Sequence, residues 1–518
     1  METTHEKVTK LSSFLSENTQ TQYEDIVRPL YPKKNRALMI VTVILLGFGV
    51  VVLLSASMHT TSGSVLSYVL PQLRNSLIGV VGALFLLWYR DISRWNKSIL
   101  VFGAYFVVLV LMLMTARFGI VEENARRWVE LPGGLRFQSS EVAKLGLVFF
   151  LAGYHSSLRR FRISKRIKRD MMKSFQMQGK TSFTVEERKR LRDYSKVLVE
   201  EEMKKPVPRT SFRDHKFSDS MMEFVLPVFL CLTVLVLVLL QPHLSGFIIL
   251  SALCLVCFLA SGISIWSWIQ GGVVVLLTLL IAGNFLMSGL SVEDKDKVLR
   301  NFNHVFVRIA GINDLKGKEA LDNEMALQAA DDGSDKETQG ENGVEAEVKT
   351  GNEADGVASE KQVTSTVKAD NYQADNSILA IASGGFSGLG LGASRQKYGY
   401  LPVANNDYIY AIACEELGFL GGTAIILLFL IFIGIGLYIS ARAEQGFCRT
   451  IALGYTILIG LQALLNIAVA VGSIPSTGVS LPFFSSGGTA NAIFIFAVGM
   501  ILAVSGTRRA ETGKKVAR

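Results

Sequence analysis

The sequence predicts an all-α integral membrane protein with about ten transmembrane helices and both termini cytoplasmic. Three observations predict it. Ten apolar runs approach the roughly 20 residues that a helix needs to cross the bilayer core. Charged residues are only 19% of the chain, against about 25% in soluble domains, and they are clumped. Lys and Arg concentrate on alternate loops, as the positive-inside bias requires.

The ten runs are roughly 37–56, 73–89, 98–116, 140–157, 223–241, 244–262, 265–287, 408–439, 450–471 and 485–505. Lipid offers backbone groups no partner, so each run must be a helix or part of a closed barrel. The runs are continuous rather than alternating, which selects helices. The first run follows about 36 polar residues. It is longer than a signal-peptide core and shows no small-residue cleavage pattern. With the N-terminus inside, cytoplasmic segments hold 35 Lys/Arg and outer loops 16. Most of the outer total sits in one long loop, which translocates regardless of charge. The weakest boundary is Gln241-Pro242-His243, between two short runs.

This divides the chain into a cytoplasmic N-tail (1–36), helices 1–4 (37–157), a basic cytoplasmic loop (158–222) and helices 5–7 (223–287). A large extracellular loop (288–407), helices 8–10 (408–505) and a cytoplasmic C-tail (506–518) complete it. Residues 159–217 carry 19 Lys/Arg against 8 Asp/Glu. Within them Thr184-Val185-Glu186-Glu187 reads as a capping box opening a charged helix to about Met203. The basic loop reads as a solvated spacer, with attraction to anionic lipid or a docking role as alternatives. Residues 319–370 carry 14 Asp/Glu against 4 Lys/Arg and almost no large apolar residues. Such a stretch buries too little to offset ordering entropy, so it predicts a disordered insert.

The five cysteines give no disulfide framework, and Cys254-x-x-Cys257 inside an apolar run reads as packing. No P-loop, HExxH, EF-hand or G-x-S-x-G motif occurs, and the six histidines show no metal-ligand spacing. The composition excludes a soluble enzyme and a collagen-like chain. The uneven placement of the +9 charge gives no nucleic-acid surface.

Polar residues at a membrane default to functional candidates. Four clusters fall on the outer side. Arg127-Trp128 precedes Gln138, Glu141 and Lys144, and the last two share a helix face; a structural ion pair is the competing reading. Residues 383–397 are glycine-rich and end in Arg395 and Lys397. Their backbone N–H groups and charges suit a phosphate, and close packing explains them equally well. Asn406-Asp407-Tyr408 leads to Glu415-Glu416, two acids that cannot both face lipid. Residues 474–489, with Ser485, Ser486 and Thr489, carry Pro and Gly at a span end. They predict broken backbone lining a cavity.

Together these motifs resemble the SEDS family (shape, elongation, division and sporulation), particularly its FtsW/SpoVE branch, with RodA as a relative. The family's R-W…F-Q-P-S-E-x-x-K appears as Arg127-Trp128…Phe137-Gln138-Ser139-Ser140-Glu141…Lys144. Its Y-Q…S-G-G…Q-K…E-E-x-G series runs from Tyr372-Gln373 to Gly418. Its P-x-T-G…L-P-F-x-S-x-G-G-[TS] runs from Pro475 to Thr489. Three departures stand out. Ser139 replaces a family proline, Gln241-Pro242-His243 lacks the family's acid, and the loop before Tyr372-Gln373, where the family's aspartate lies, carries the acidic insert.

The resemblance implies a lipid II polymerase, that is, a peptidoglycan glycosyltransferase of the bacterial cytoplasmic membrane. It implies an inverting transfer that releases undecaprenyl pyrophosphate. It also implies a class B penicillin-binding protein and other divisome proteins as partners, with membrane lipid and no nucleic acid. Such a transfer needs a carboxylate base for the acceptor hydroxyl and positive charge for the departing pyrophosphate. No organic cofactor follows; a divalent cation (Mg²⁺ or Mn²⁺) is left open, and metal ligands are unassigned. The family's aspartate falls on Asp314, in Arg308…Asp314-Leu315-Lys316-Gly317, with Asp370 beside Tyr372 as runner-up. Arg127, Trp128, Gln138, Glu141, Lys144, Gln373, Arg395, Lys397, Asp407, Glu415, Ser485, Ser486 and Thr489 are the expected substrate-binding residues. The alternatives are a lipid II flippase or other transporter, a non-enzymatic division scaffold, and a RodA-like elongation polymerase.

Overall fold

The computed structural model describes residues 35–58, 66–88, 92–122, 125–131, 135–177, 184–204, 216–241, 243–289, 372–401, 404–474, 478–486 and 488–506. All ten predicted runs are occupied by helices. In chain order these are α1 (Arg36–Ser57), α2 (Leu66–Trp88), α3 (Ser98–Phe118) and α4 (Ser139–Met177), then α5 (Val185–Lys204) and α6 (Phe217–Leu240). There follow α7 (Leu244–Ala260), α8 (Ile265–Gly289), α9 (372–383), α10 (Ile409–Ala441), α11 (Gly446–Ala470) and α12 (Thr489–Ser505). Six of the described helices, α1, α2, α3, α6, α10 and α11, are long and apolar enough to cross a membrane by themselves. Helices α7, α8 and α12 contribute shorter apolar stretches. The first half of α4 carries the fourth run, 140–157, with Glu141 and Lys144 in its first turns.

Lipid and core are equally apolar, so spans pack through shape rather than amphipathicity. Helix α12 lies against α2, with Gly79 and Gly499 at the crossing. A Cβ on Gly79 would stand 2.7 Å from the Ala492 carbonyl oxygen, and one on Gly499 2.7 Å from the Ala83 Cβ. Helix α11 is the central element. Most of its apolar window is buried (61%), against 28–39% for the other long spans, and it contacts α4, α7, α10 and α12. Phe150, Phe432, Phe447, Phe483 and Phe494 fill the common core. Ile40, Val43, Leu77 and Leu280 stay exposed, as lipid-facing side chains must.

Three features depart from the sequence reading. Residues 120–138 form a small antiparallel sheet, β1 (Ile120–Glu122), β2 (Ala125–Leu131) and β3 (Leu135–Gln138), ordered β1-β2-β3. Trp128 pairs with Gln138 across it. Helix α4 continues about 20 residues past the predicted span end, because residues 158–177 contain no Gly or Pro. Its Ile163 and Ile167 pack on Val199 and Met203 of α5. Helix α10 is broken at Gly418 (φ 68°, ψ −166°). Within α6, Met221–Val225 form one π-helical turn.

Helix α5 starts where the capping box places it. The Glu187 amide donates to Thr184 Oγ1 at 3.3 Å, and the Thr184 amide donates to Glu187 Oε2 at 3.0 Å. The turn at 241–243 separates α6 from α7, with Gln241 Nε2 donating to the Met112 carbonyl at 3.1 Å.

Candidate functional site

The predicted residues gather into three buried polar knots at the end of the bundle that the sequence reading places outside. The first stands where β3 meets α4. Lys144 Nζ donates to Glu141 Oε1 at 2.5 Å, with both side chains enclosed. Spacing of three on one helix makes the pair, and Glu141 in the first turn suits the positive end of the helix dipole. Gln138 reaches His243 in the α6–α7 turn, with their Nε2 atoms 3.3 Å apart. Burial pushes the His243 imidazole down to about 3, helped by the positive charges of Lys144 and Arg127. His243 is therefore neutral at physiological pH. Ser139 Oγ, Ser140 Oγ, Glu141 Oε2 and His243 Nδ1 are enclosed with no hydrogen-bond partner, so this knot retains polar capacity. Arg127 and Trp128 are half-buried on β2 beside it.

The second knot closes the break in α10. An interrupted helix leaves carbonyls and amides that need partners. The glycine-rich loop supplies them. The Leu389 and Gly390 amides donate to the Glu415 and Glu416 carbonyls, at 3.0 and 2.9 Å. The Phe419 and Leu420 amides donate to the Gly385 and Phe386 carbonyls. Gly388 holds φ 82°, and a Cβ there would stand 2.1 Å from the Glu416 carbonyl oxygen, so only glycine docks this closely.

The side chains of the two acids turn inward rather than to lipid. Glu415 accepts from Ser394 Oγ and, at 2.8 Å, from the Arg395 amide. Glu416 accepts from Lys397 Nζ at 2.9 Å and from Ser55 Oγ of α1 at 2.5 Å. Lys397 Nζ also donates to the Gly392 carbonyl at 2.7 Å and the Ser55 carbonyl at 3.2 Å. An ammonium has three donors, and all three are used. Lys397 thus ties the loop down in this conformation. Arg395, two residues earlier, exposes its side chain.

The third knot joins the segment before α10 to the segment before α12. Ser485 Oγ donates to the Asn406 carbonyl at 2.6 Å and accepts from the Leu481 amide at 2.8 Å. The Ser486 amide donates to the Asn405 carbonyl at 3.0 Å. Asn466 of α11 donates to the carbonyls of Asp407 (2.8 Å) and Val479 (2.7 Å). Asn491 Oδ1 accepts from the amide of Phe483, which holds the unusual φ of 71°. The broken backbone expected at 474–489 is present over the described part, 478–486. Thr489 opens α12, and its hydroxyl is enclosed with no hydrogen-bond partner.

Helix α1 links the second and third knots. Ser55 belongs to one, and Gly49 lies against the Phe483 carbonyl of the other. Helix α12 packs on β3 and α4, which brings the first knot to the same assembly. Gln373 stands half-buried on α9. Asp314 and Asp370 lie outside the described residues, as does the insert 319–370.

Ser55, Asn466, Asn491 and Glu416 are tied into the knots without having been singled out as binding residues. Glu416 was visible as the second of two adjacent acids. Ser55 is one serine in an apolar run, and no pattern marks it. Among the described residues, no three His, Cys, Asp or Glu side chains stand together as cation ligands.

A family profile described as "Cell cycle protein", for FtsW, RodA and SpoVE, matches residues 36–179 and 358–510. The chain belongs to the FtsW/RodA/SpoVE family. It is 44% identical over 134 residues to the stage V sporulation protein E of Bacillus subtilis, covering 26% of this chain and 37% of that one. It is 26% identical over 474 residues to the probable peptidoglycan glycosyltransferase FtsW of Lactococcus lactis, covering 88% of each. In the alignment to the sporulation protein, the chain spans little more than a third of its relative's length. A solved structure described as a peptidoglycan synthase complex that coordinates polymerization and crosslinking superposes with a TM-score of 0.52. That match has 17% identity and covers 92% of this chain and 99% of that one; it supports the multi-helix fold.

Membership makes this a multi-pass protein of the bacterial cytoplasmic membrane. The matched segments of the FtsW/RodA/SpoVE family carry the whole second knot and the Glu141–Lys144 pair. The third knot lies in the same matched region. His243, where the family pattern has an acid, lies between the two matched segments.

Proposed function

We propose that this protein polymerises lipid II at the outer face of the membrane, building septal or spore glycan by inverting transfer. Membership of the FtsW/RodA/SpoVE family across both matched segments carries this reading. The three knots support it, because they gather the enclosed polar groups of the outer motifs at one end of the bundle. A transporter with alternating access wants its site near the midplane.

In the proposed reaction an acceptor hydroxyl attacks C1 of the donor sugar and loses its proton to a carboxylate. Undecaprenyl pyrophosphate leaves from the opposite face. Asp314 is the proposed base, with Asp370 the alternative. Arg395, whose side chain is exposed beside the tethered loop, and Arg127 are proposed to meet the negative charge that develops on the pyrophosphate. Gln138, Trp128, Glu141, Lys144, Gln373, Ser486 and Thr489 are proposed to position the sugars and their links. A class B penicillin-binding protein is the proposed partner that crosslinks the product, alongside other division proteins.

The test supplies lipid II to the purified protein, with and without a class B penicillin-binding protein, and resolves polymer on a gel. Polymer lost in Asp314→Ala and kept in Asp370→Ala supports the assignment. The reverse pattern moves the base to Asp370. No polymer under any condition, with labelled lipid II crossing vesicle membranes, replaces polymerase with flippase.

A further inference from the structure

The outer knots leave the cytoplasmic end of α4 unexplained. Between residues 159 and 173 it carries eight Lys/Arg against one acid, whereas α5 carries six of each. The charge excess of this α4–α5 pair therefore belongs to α4. It is also one-sided. Phe161, Lys165, Lys168, Arg169, Met172 and Lys173, all on α4, line a shallow groove of about 510 Å³ that is open to the surface. These positions recur every three to four residues, so they share one face. Ile163 and Ile167, which pack on α5, occupy the opposite face.

Phe161 (64% exposed) and Met172 (51%) stand open to water among the four cations. Arg162 holds the α4 stem to α6 through Glu223, and through Asp219 at 3.2 Å, and Glu223 also accepts from Ser267 of α8 at 2.5 Å.

We propose that this groove docks an acidic amphipathic helix of a cytoplasmic partner. Charge complementarity and the interleaved apolar residues argue for it. Reach argues against lipid as the occupant. At 1.5 Å per residue, Lys165 lies about 12 Å beyond the span end at residue 157, and Lys173 about 24 Å. The headgroup layer is only about 5–8 Å thick on each side. On an upright α4, Lys168, Arg169 and Lys173 therefore lie beyond it, and Lys173 is more than one ~8 Å Debye length away. The groove runs about 22 Å, from residue 161 to 176, which fits about 15 residues of helix.

The test uses the full chain in phosphatidylcholine nanodiscs. The probe is a fluorescein-labelled 15-residue helical peptide with Glu on one face and Leu on the other, read by anisotropy. The expected result is salt-sensitive binding that weakens at least tenfold in K165Q/K168Q/R169Q/K173Q. It also weakens in F161A/M172A and when Gln replaces Glu in the peptide. The α5 variant R188Q/K189Q/R190Q/R192Q binds as the unaltered chain does. No binding to the unaltered chain, equal binding of the Gln peptide, or equal loss in the α5 variant overturns the proposal.

An environment-sensitive fluorophore on Met172→Cys tests the lipid alternative without peptide, since all five native cysteines are buried. A blue shift on moving to phosphatidylglycerol discs puts the groove on lipid and overturns the proposal. An unchanged spectrum supports it.

Discussion

Lys397→Met is the sharpest perturbation of the outer face. Lys397 and Glu416 have side chains 1% exposed, so neither charge reaches water when its partner is removed. Breaking a buried pair from one side costs about 3–5 kcal/mol. Glu416 keeps Ser55 Oγ and the Ser394 amide as donors, which places the expected loss near 3 kcal/mol. Lys397→Met with Glu416→Gln removes both charges and leaves chiefly the Ser55 and Gly392 carbonyls without their donor, at about 1 kcal/mol each. The double variant should therefore be more stable than Lys397→Met alone.

The assay is unfolding by SDS titration in mixed micelles, paired with the lipid II polymer gel. Polymer should fall furthest in the single variant, because loop 388–397 is held through this knot. A single variant within 1 kcal/mol of the parent, or a double variant costing the sum of both singles, refutes the reasoning.

Two glycines in the same loop separate clash from strain. Gly390→Ala meets open space at φ 102°, while Gly388→Ala drives a Cβ into the Glu416 carbonyl. The first should cost about 1–3 kcal/mol of backbone strain and the second clearly more, both read by the same titration. His243 gives a pH dependence. Its imidazole is held down to about 3 in the folded chain, whereas an unfolded histidine takes its proton near 6.5. Between those values the unfolded state binds more protons, so stability falls as pH drops through the window. His243→Gln should flatten that part of the curve of unfolding against pH. Thr184→Ala removes the cap of α5 and costs about 1 kcal/mol. Hydrogen exchange of the first-turn amides should accelerate roughly fivefold.

The spans were legible because lipid forces each crossing to be a continuous apolar run. What interrupts or extends them was less so. Thr184 and Glu187 announced the start of α5, since a capping box is local chemistry. The continuation of α4 past residue 157 was hidden by its charges, which read as loop although Ile163 and Ile167 keep a helical spacing. The break at Gly418 was hidden because one glycine in a span is common. Its cause lies 30 residues away, in the loop that supplies the missing hydrogen bonds. Arg395 and Lys397 look equivalent in sequence. Only burial separates them, one exposed and the other fully used on Gly392, Ser55 and Glu416. Ser55 illustrates the same limit, because long-range partners leave no trace in local pattern.

Helix α4 is one helix of 39 residues, about 57 Å long. Were it a stiff rod pivoting at Arg162, its two arms would be unequal. Glu141 lies about 31 Å from that fulcrum and Lys173 about 16 Å on the other side. A 5° rotation about that point moves the Glu141 end by about 2.7 Å and the groove end by about 1.4 Å. Small displacements at the groove end are thus geared up roughly twofold at the Glu141 end. The Glu141 end would then move about as far as the 2.5 Å Glu141–Lys144 contact is long.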